Sequence, residues 1–386
     1  MKKLLSILGS TGSVGLNTLE LIDKKKNYFK PFIFSANKNY NQISNQIIKY
    51  KPNFFVVNDK QVFRKLSKKF KNRNTKILNS FDHVYSKSKS SLTISAIPGI
   101  AGLSPILKIT NFSDKILIAN KEAVICGWDL IKKKAKLNKT KLIPIDSEHF
   151  SIMKLLEDQD KDSIRKIYIT ASGGPFLNFS LKKLKKVTVK QALNHPKWKM
   201  GKKISIDSST LMNKLFEVIE AQKIFNLPEK KIEILIHPNS LVHAILEQKN
   251  GIRKFILHET SMKIPLANAI FDSTIDINNF YKQTKKINFG NLIFKKVNKK
   301  IFPLISIMST MSKYPSAPII INAANEVIVE RFLEKKLPFL DIHRKILAIM
   351  RDVNFKKYAI KKPKTIKQIF QIDHWARSLT MKKLKN

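Results

Sequence analysis

Lys3-Leu4-Leu5-Ser6-Ile7-Leu8-Gly9-Ser10-Thr11-Gly12-Ser13-Val14-Gly15 is the stretch that decides the fold. Lys3 to Leu8 reads as a short buried strand. Gly9, Gly12 and Gly15 then punctuate a tight turn, and Leu16, Leu19 and Ile22 continue with helical spacing. Strand, glycine turn and helix in that order form a variant of the dinucleotide-binding loop. Glycines let the backbone approach a pyrophosphate, and the helix N-terminus offers unpaired N–H groups to the anion. The next strand, Pro31 to Ser35, ends in Ala36-Asn37-Lys38-Asn39. A site for NADH usually places an acid there to hold the ribose hydroxyls. Here there is none. Lys38 either pairs with a 2′-phosphate, which favours NADPH, or is one lysine among many.

Working outward, short buried-strand patterns recur at Phe54–Val57, Leu92–Ser95 and Lys115–Ala119, the last ending in Asn120-Lys121-Glu122. This is the alternation of a doubly wound parallel sheet, which binds ligands at the carboxyl ends of its strands. Lys141 to Ile145 leads into Asp146-Ser147-Glu148-His149, expected on a strand-end loop. The whole chain has 28 acids against 73 basic residues, yet six acids fall between Asp146 and Asp162. Two carboxylates two residues apart can converge on a hard divalent cation such as Mg²⁺ or Mn²⁺, or can belong to a solvated turn.

Further on, Ile164 to Thr170 is a strand ending in Ala171-Ser172-Gly173-Gly174-Pro175-Phe176, either a phosphate nest or a plain turn. His195-Pro196-Lys197-Trp198-Lys199-Met200-Gly201 reads as a surface loop or mobile cover. Ile204 to Thr210 leads into a helix from Leu211 to Phe225. There Asn213, Lys214 and Glu217 share one face. Glu217 is either the partner of Lys214 or a third carboxylate for the ion. Ile232 to Ile236 is a strand before His237-Pro238. The expected division is a Rossmann-like nucleotide domain at 1–146, a central α/β catalytic domain at 147–275, a connecting segment at 276–300 and a helical domain at 301–386.

Composition narrows the class. A chain of 386 residues with 43% hydrophobic residues can bury more than one core. No apolar run is long enough to span a membrane, and Gly9 to Ser13 interrupt the N-terminal run too early for a signal peptide. A single cysteine, Cys126, fits a reducing cytoplasm. The net charge of +45 is spread through every segment, alongside abundant Ile, Asn and Phe. That pattern reads as compositional drift, with no nucleic-acid module and no aromatic platform between the lysines.

Taken together, the ordered motifs resemble the 1-deoxy-D-xylulose 5-phosphate reductoisomerase family. They are Gly9 to Gly15, Asn120-Lys121-Glu122, Asp146 to His149, Ser172 to Phe176, His195 to Gly201, Lys203 to Lys214, Glu217, His237-Pro238 and Asn322-Ala323-Ala324-Asn325-Glu326. The resemblance implies conversion of 1-deoxy-D-xylulose 5-phosphate to 2-C-methyl-D-erythritol 4-phosphate with NADPH and Mg²⁺ or Mn²⁺, Co²⁺ being a further option. It implies metal ligation by Asp146, Glu148 and Glu217, and a substrate phosphate held by Ser172, Ser208, Asn213 and Lys214. Ser147, Lys121, His195 and the lid residue Trp198 would also meet substrate. Lys121 would work with the three carboxylates in catalysis. Gly9, Ser10, Thr11, Gly12, Ser13, Val14, Asn37, Lys38, Asn39, Asn120, Glu122 and Gly201 would bind cofactor. A homodimer is implied as well. Two departures stand out. Asn37 replaces the family's usual glycine, and Leu257-His258-Glu259-Thr260-Ser261-Met262 replaces its Leu-Gly-x-Pro-Asp-Met run.

Overall fold

The computed structural model describes residues 2–85, 88–198, 200–272, 275–281 and 292–385. Lys199 and residues 282–291 of the expected connecting segment lie outside the described residues. The chain divides into two compact units. One comprises Met1–Val124, Asp129–Phe150 and Ser261–Lys285; the other comprises Ile125–Trp128, Ser151–Thr260 and Lys286–Asn386.

The first unit is built on seven strands: β1 (Lys3–Leu8), β2 (Phe29–Ala36), β3 (Phe54–Val57), β4 (Lys76–Leu78), β5 (Leu92–Ser95), β6 (Lys115–Ile118) and β7 (Lys141–Pro144). Their order is β4-β3-β2-β1-β5-β6-β7, and every pairing is parallel. Strands covered on both faces need apolar residues throughout, and Leu5, Ile7, Leu8, Ile33, Phe34, Phe55 and Ile94 are buried accordingly. The order reverses between β1 and β5, the switch point where such sheets open a crevice. The glycine turn leaves β1 there.

Residues 261–272, within the span expected for the central domain, lie with this first unit. The reason is apolar packing. Ile264, Leu266, Ala267 and Ile270 of the helix Lys263–Ile270 are buried. Phe271 meets the rings of Tyr28 and Phe29, each at 5.9 Å. Lys263 pairs with Glu20 at 2.5 Å.

The second unit holds a mixed sheet in the order β11-β10-β8-β9-β12. Its strands are β8 (Ile164–Ala171), β9 (Ile232–Ile236), β10 (Val242–Gln248), β11 (Arg253–Leu257) and β12 (Lys295–Lys296). Ile167, Ile169, Ile234, Leu246, Val218 and Phe302 form its core. The carboxyl-terminal part of this unit is helical, as the sequence leads one to expect. The helix Ala317–Leu333 is buried nearly all round, from Ala317 through Ala324 without a break. Helices Phe339–Met350 and Ile366–Lys385 pack on it. Among the described residues, no helix is long and apolar enough to cross a membrane.

Candidate functional site

In the first unit, the turn after β1 is shaped for an anion. Gly9 has φ +82°, and a Cβ on it would lie 2.8 Å from Ala96 O. Gly15 is tighter: a Cβ there would sit 2.5 Å from Gly9 O and 2.6 Å from Ser10 Cα. The helix Ser13–Asp23 begins at this turn, and no side chain caps it. Its first N–H groups are therefore open to a ligand. Ser10 braces the turn from inside: its buried hydroxyl donates to Gln46 Oε1 at 2.6 Å, its N–H donates to Ser35 O at 2.8 Å, and its carbonyl accepts from Gln46 Nε2 at 3.0 Å. Thr11, Ser13 and Val14 are at least partly exposed.

Asn37, Lys38 and Asn39 follow β2 and are exposed. Asn39 caps the helix Tyr40–Tyr50 by accepting from Gln42 N at 3.2 Å. Asn37 is not among the residues with positive φ, so the change from the family's glycine needs no left-handed backbone. Asn120 is likewise committed. It caps the helix Lys121–Asn138 through Ala123 N, and its amide donates to Ile97 O and Gly99 O. Those bonds brace the turn after β5. Glu122 is half-buried in the first turn of that helix.

Asp146 follows β7, but its neighbours are not on a loop. Ser147 and Glu148 form the first turn of the helix Ser147–Leu156. The Asp146 carbonyl accepts from Phe150 N at 2.8 Å, and its carboxylate from Glu148 N at 3.3 Å. Asp146 is thus the residue from which the helix starts, and its charge suits the positive helix end. Lys121 Nζ lies 3.2 Å from Asp146 Oδ2, and buried His149 lies 3.5 Å from Oδ1. Burial opposes ionisation of Asp146. The charge of Lys121 and the bonds from His149 outweigh it and hold the carboxyl well below the usual range. Ser147 Oγ donates to Glu148 Oε2 at 2.5 Å.

In the second unit, the turn after β8 gains its chemistry from a distant loop. Lys197 N–H and Trp198 N–H both donate to His195 Nδ1, at 3.2 and 2.9 Å. The imidazole proton therefore sits on Nε2, which donates to Ser172 Oγ at 3.1 Å. Gly174 N–H donates to the same oxygen at 3.1 Å. With its lone pairs occupied, the Ser172 hydroxyl must direct its own proton outward. Burial, then the charge of Lys214, lowers the His195 pKa to about 4, so the ring is neutral at ordinary pH. Gly173 and Gly174 have φ +84° and +63°, which lets this turn lie close to Ser208 O.

Ser208 belongs to a helix, Lys202–Ser209, that the sequence did not reveal. Gly201 starts it and is exposed, with nothing within 4 Å of a Cβ. Leu211, at φ +59°, separates this helix from Met212–Phe225. There Asn213, Lys214 and Glu217 do share a face. Lys214 Nζ is 2.5 Å from Glu217 Oε2, and Asn213 Nδ2 donates to Oε1. Both Lys214 and Glu217 are buried.

The ring of half-buried Trp198 meets that of His243 in a T-shaped contact, with centroids 6.2 Å apart. His243 stacks on His258 at 3.9 Å. Neither histidine was a sequence candidate, and only the altered 258–261 run pointed toward them. His258, mostly buried beside His243, has its pKa lowered to about 3.

The strand order of the first unit, with a glycine turn at its switch point, defines a dinucleotide-binding α/β protein. The comparisons with known proteins narrow that class. The profile for 1-deoxy-D-xylulose 5-phosphate reductoisomerase matches residues 5–127, and those for its C-terminal domains match 142–225 and 257–379. A Pelagibacter ubique protein of that name is 43% identical over 380 residues, 97% of each chain. A Wolbachia protein from Drosophila simulans, also so named, is 40% identical over 347 residues, 89% of this chain and 88% of that one. A solved DOX-P reductoisomerase in complex with NADPH, fosmidomycin and magnesium superposes with a TM-score of 0.91 at 31% identity, over 99% of this chain and 98% of that one. The chain belongs to the 1-deoxy-D-xylulose 5-phosphate reductoisomerase family.

Proposed function

We propose that this protein converts 1-deoxy-D-xylulose 5-phosphate to 2-C-methyl-D-erythritol 4-phosphate, using NADPH and a divalent metal ion. The observation that carries the reading is the full-length family match, with a relative 43% identical across 97% of this chain. The chain's own chemistry supports it residue by residue.

Asp146, Glu148 and Glu217 are the ligands assigned to the metal. An all-carboxylate set without thiolate or imidazole fits a hard ion, Mg²⁺ or Mn²⁺, with Co²⁺ also accommodated. Such an ion supplies Lewis acidity toward the substrate carbonyl and neighbouring hydroxyl. Lys121 keeps Asp146 ionised and available. Asn213 and Lys214 orient Glu217 in a buried setting. Ser147 is assigned to the substrate hydroxyls.

Ser172 aims its hydroxyl proton, through the neutral His195, at an acceptor such as a phosphate oxygen. Ser208, Asn213 and Lys214 complete that phosphate site. Trp198, on the same loop as His195, covers the substrate and excludes water. The glycine turn from Gly9 to Val14 takes the NADPH pyrophosphate, and Lys38 the 2′-phosphate. Asn37, Asn39, Asn120, Glu122 and Gly201 border the cofactor, which supplies hydride to the rearranged aldehyde. The homodimer belongs to the same reading. Light scattering at about twice the 44.4 kDa chain mass would support it.

The test is NADPH oxidation by the full chain with 1-deoxy-D-xylulose 5-phosphate, with and without Mn²⁺, and with the product identified. A reductase acting on another phosphorylated carbonyl compound would give no 2-C-methyl-D-erythritol 4-phosphate. Glu217→Gln should reduce turnover by on the order of a thousandfold while NADPH affinity holds. Metal-dependent turnover near that of the unaltered protein would remove Glu217 from the metal.

A further inference from the structure

The helix Ala317–Leu333 carries a polar motif to which the reaction gives no part. Asn322-Ala323-Ala324-Asn325-Glu326 lies within it, and Asn322 and Asn325 are both 0% exposed. A buried amide costs free energy unless it meets a partner. Asn325 meets one: its Nδ2 donates to Asp207 Oδ1 at 2.7 Å. Asp207 is itself buried, and its Oδ2 lies 2.9 Å from Lys203 Nζ, one turn earlier on the same helix. Glu326 points elsewhere, accepting from Arg377 of the terminal helix. The motif therefore has two separate tasks. Glu326 ties helix to helix, while Asn325 reaches the helix Lys202–Ser209.

Asp207 immediately precedes Ser208. From Ser205 to Met212 every residue is buried except Ser208, which is half-exposed. The other side of this helix end is set by the turn after β8, where a Cβ on Gly174 would lie 3.0 Å from Ser208 O. Ser208 thus stands at the end of a short helix with one partly open direction. Adjacent helical residues differ by about 100° around the axis, so a small rotation redirects the hydroxyl. The buried Asp207 carboxylate is the handle that fixes that rotation, because it strongly favours keeping its donors.

We propose that Asn325 and Asp207 are positioning residues for the substrate phosphate: their hydrogen bond sets the rotation of the helix Lys202–Ser209 and so aims the Ser208 hydroxyl. The proposal rests on the assignment of Ser208 to that phosphate.

The test compares Asn325→Ala, Ser208→Ala and the double variant in the full chain. Asn325→Ala should raise the KM for 1-deoxy-D-xylulose 5-phosphate by about tenfold, the effect of misplacing one hydrogen bond to a charged group. Its kcat and NADPH affinity should change by less than about threefold. The double variant should be no worse than Ser208→Ala alone, since Asn325 acts through Ser208. If Asn325→Ala does not fold, Asn325→Ser, whose hydroxyl is a shorter donor, should give a smaller rise in KM with the same non-additivity. Additive losses would overturn the proposal, as would a lowered melting temperature with KM unchanged. A Ser208→Ala variant with unchanged KM would overturn the phosphate assignment itself, a result distinct from failure of the Asn325 link.

Discussion

The turns after β1 and β8 look alike in sequence, each a strand followed by serine and glycine, yet they work by different means. In the first, Ser10 turns its hydroxyl inward to Gln46, and the N–H groups offered outward are those at the uncapped start of the helix Ser13–Asp23. In the second, the Ser172 side chain is itself the donor, aimed by His195 and Gly174. In the first turn, Gly15 is demanded by the backbone of Gly9 and Ser10, and Gly9 by the backbone of Ala96 in the turn after β5. The second turn is half of a device whose other half lies on the loop at 195–198. Backbone N–H groups at a helix start suit anions in general. A site assembled from two segments can be selective, because its donor points in one direction only.

The comparison breaks first at Gly15. A Cβ there meets Gly9 O and Ser10 Cα, backbone atoms that cannot swing aside. Gly15→Ala should weaken NADPH binding by on the order of a hundredfold or more and lower stability by about 1–3 kcal/mol. Cofactor fluorescence and thermal melting measure the two effects. Unchanged binding would mean that the first turn does not depend on its tight backbone.

Exchanging the serines sharpens the contrast. Ser172→Ala should raise the substrate KM by about 10- to 100-fold, the loss of one hydrogen bond to a charged oxygen, with NADPH affinity unchanged. Ser10→Ala should do the reverse of what a sequence alignment of the two turns suggests. It leaves buried Gln46 without its donor, so about 1–3 kcal/mol of stability is lost while substrate KM holds. Equal KM effects from both substitutions would erase the distinction.

This difference also explains what could be read in advance. β1, β3, β5 and β9 match the expected strands residue for residue, because they are apolar runs bounded by turn residues. β10 was missed because its seven buried residues, Val242–Gln248, include His243, Glu247 and Gln248. The helix Lys202–Ser209 was missed because its serines and Asp207 read as a loop. The acid tetrapeptide was recognisable by charge, but its helical geometry was not. Local spacing could not show that the segment 261–270 lies with the first unit, which depends on packing side chains distant in sequence. Nor could it show that His195 meets Ser172, 23 residues away.

The second turn also requires a neutral histidine, and pH tests that. Burial, followed by the charge of Lys214, lowers the His195 pKa to about 4. An unfolded chain protonates its histidines near 6.5. Between about pH 6.5 and 4 the unfolded state therefore binds more protons, and stability falls as pH falls. The melting temperature should decline through that window, and His195→Asn should make the decline shallower. An unchanged slope would show that His195 is not held neutral by the fold.

The smallest effect is expected at exposed Lys38, the residue proposed for the 2′-phosphate. Lys38 and Lys214 carry the same charge, but Lys38 is exposed and Lys214 is 6% exposed. An exposed lysine pairs weakly, contributing about 1 kcal/mol or less, and salt screens it. The chain's net charge of +45 also leaves other cations to attract the nucleotide when Lys38 is removed. Lys38→Ala should therefore weaken NADPH by only about three- to fivefold and leave NADH almost unchanged. The difference should shrink as salt is raised. Equal losses for the two cofactors would place the 2′-phosphate away from Lys38. A loss that persists at high salt would mean that the pairing is more enclosed than the exposed turn after β2 allows.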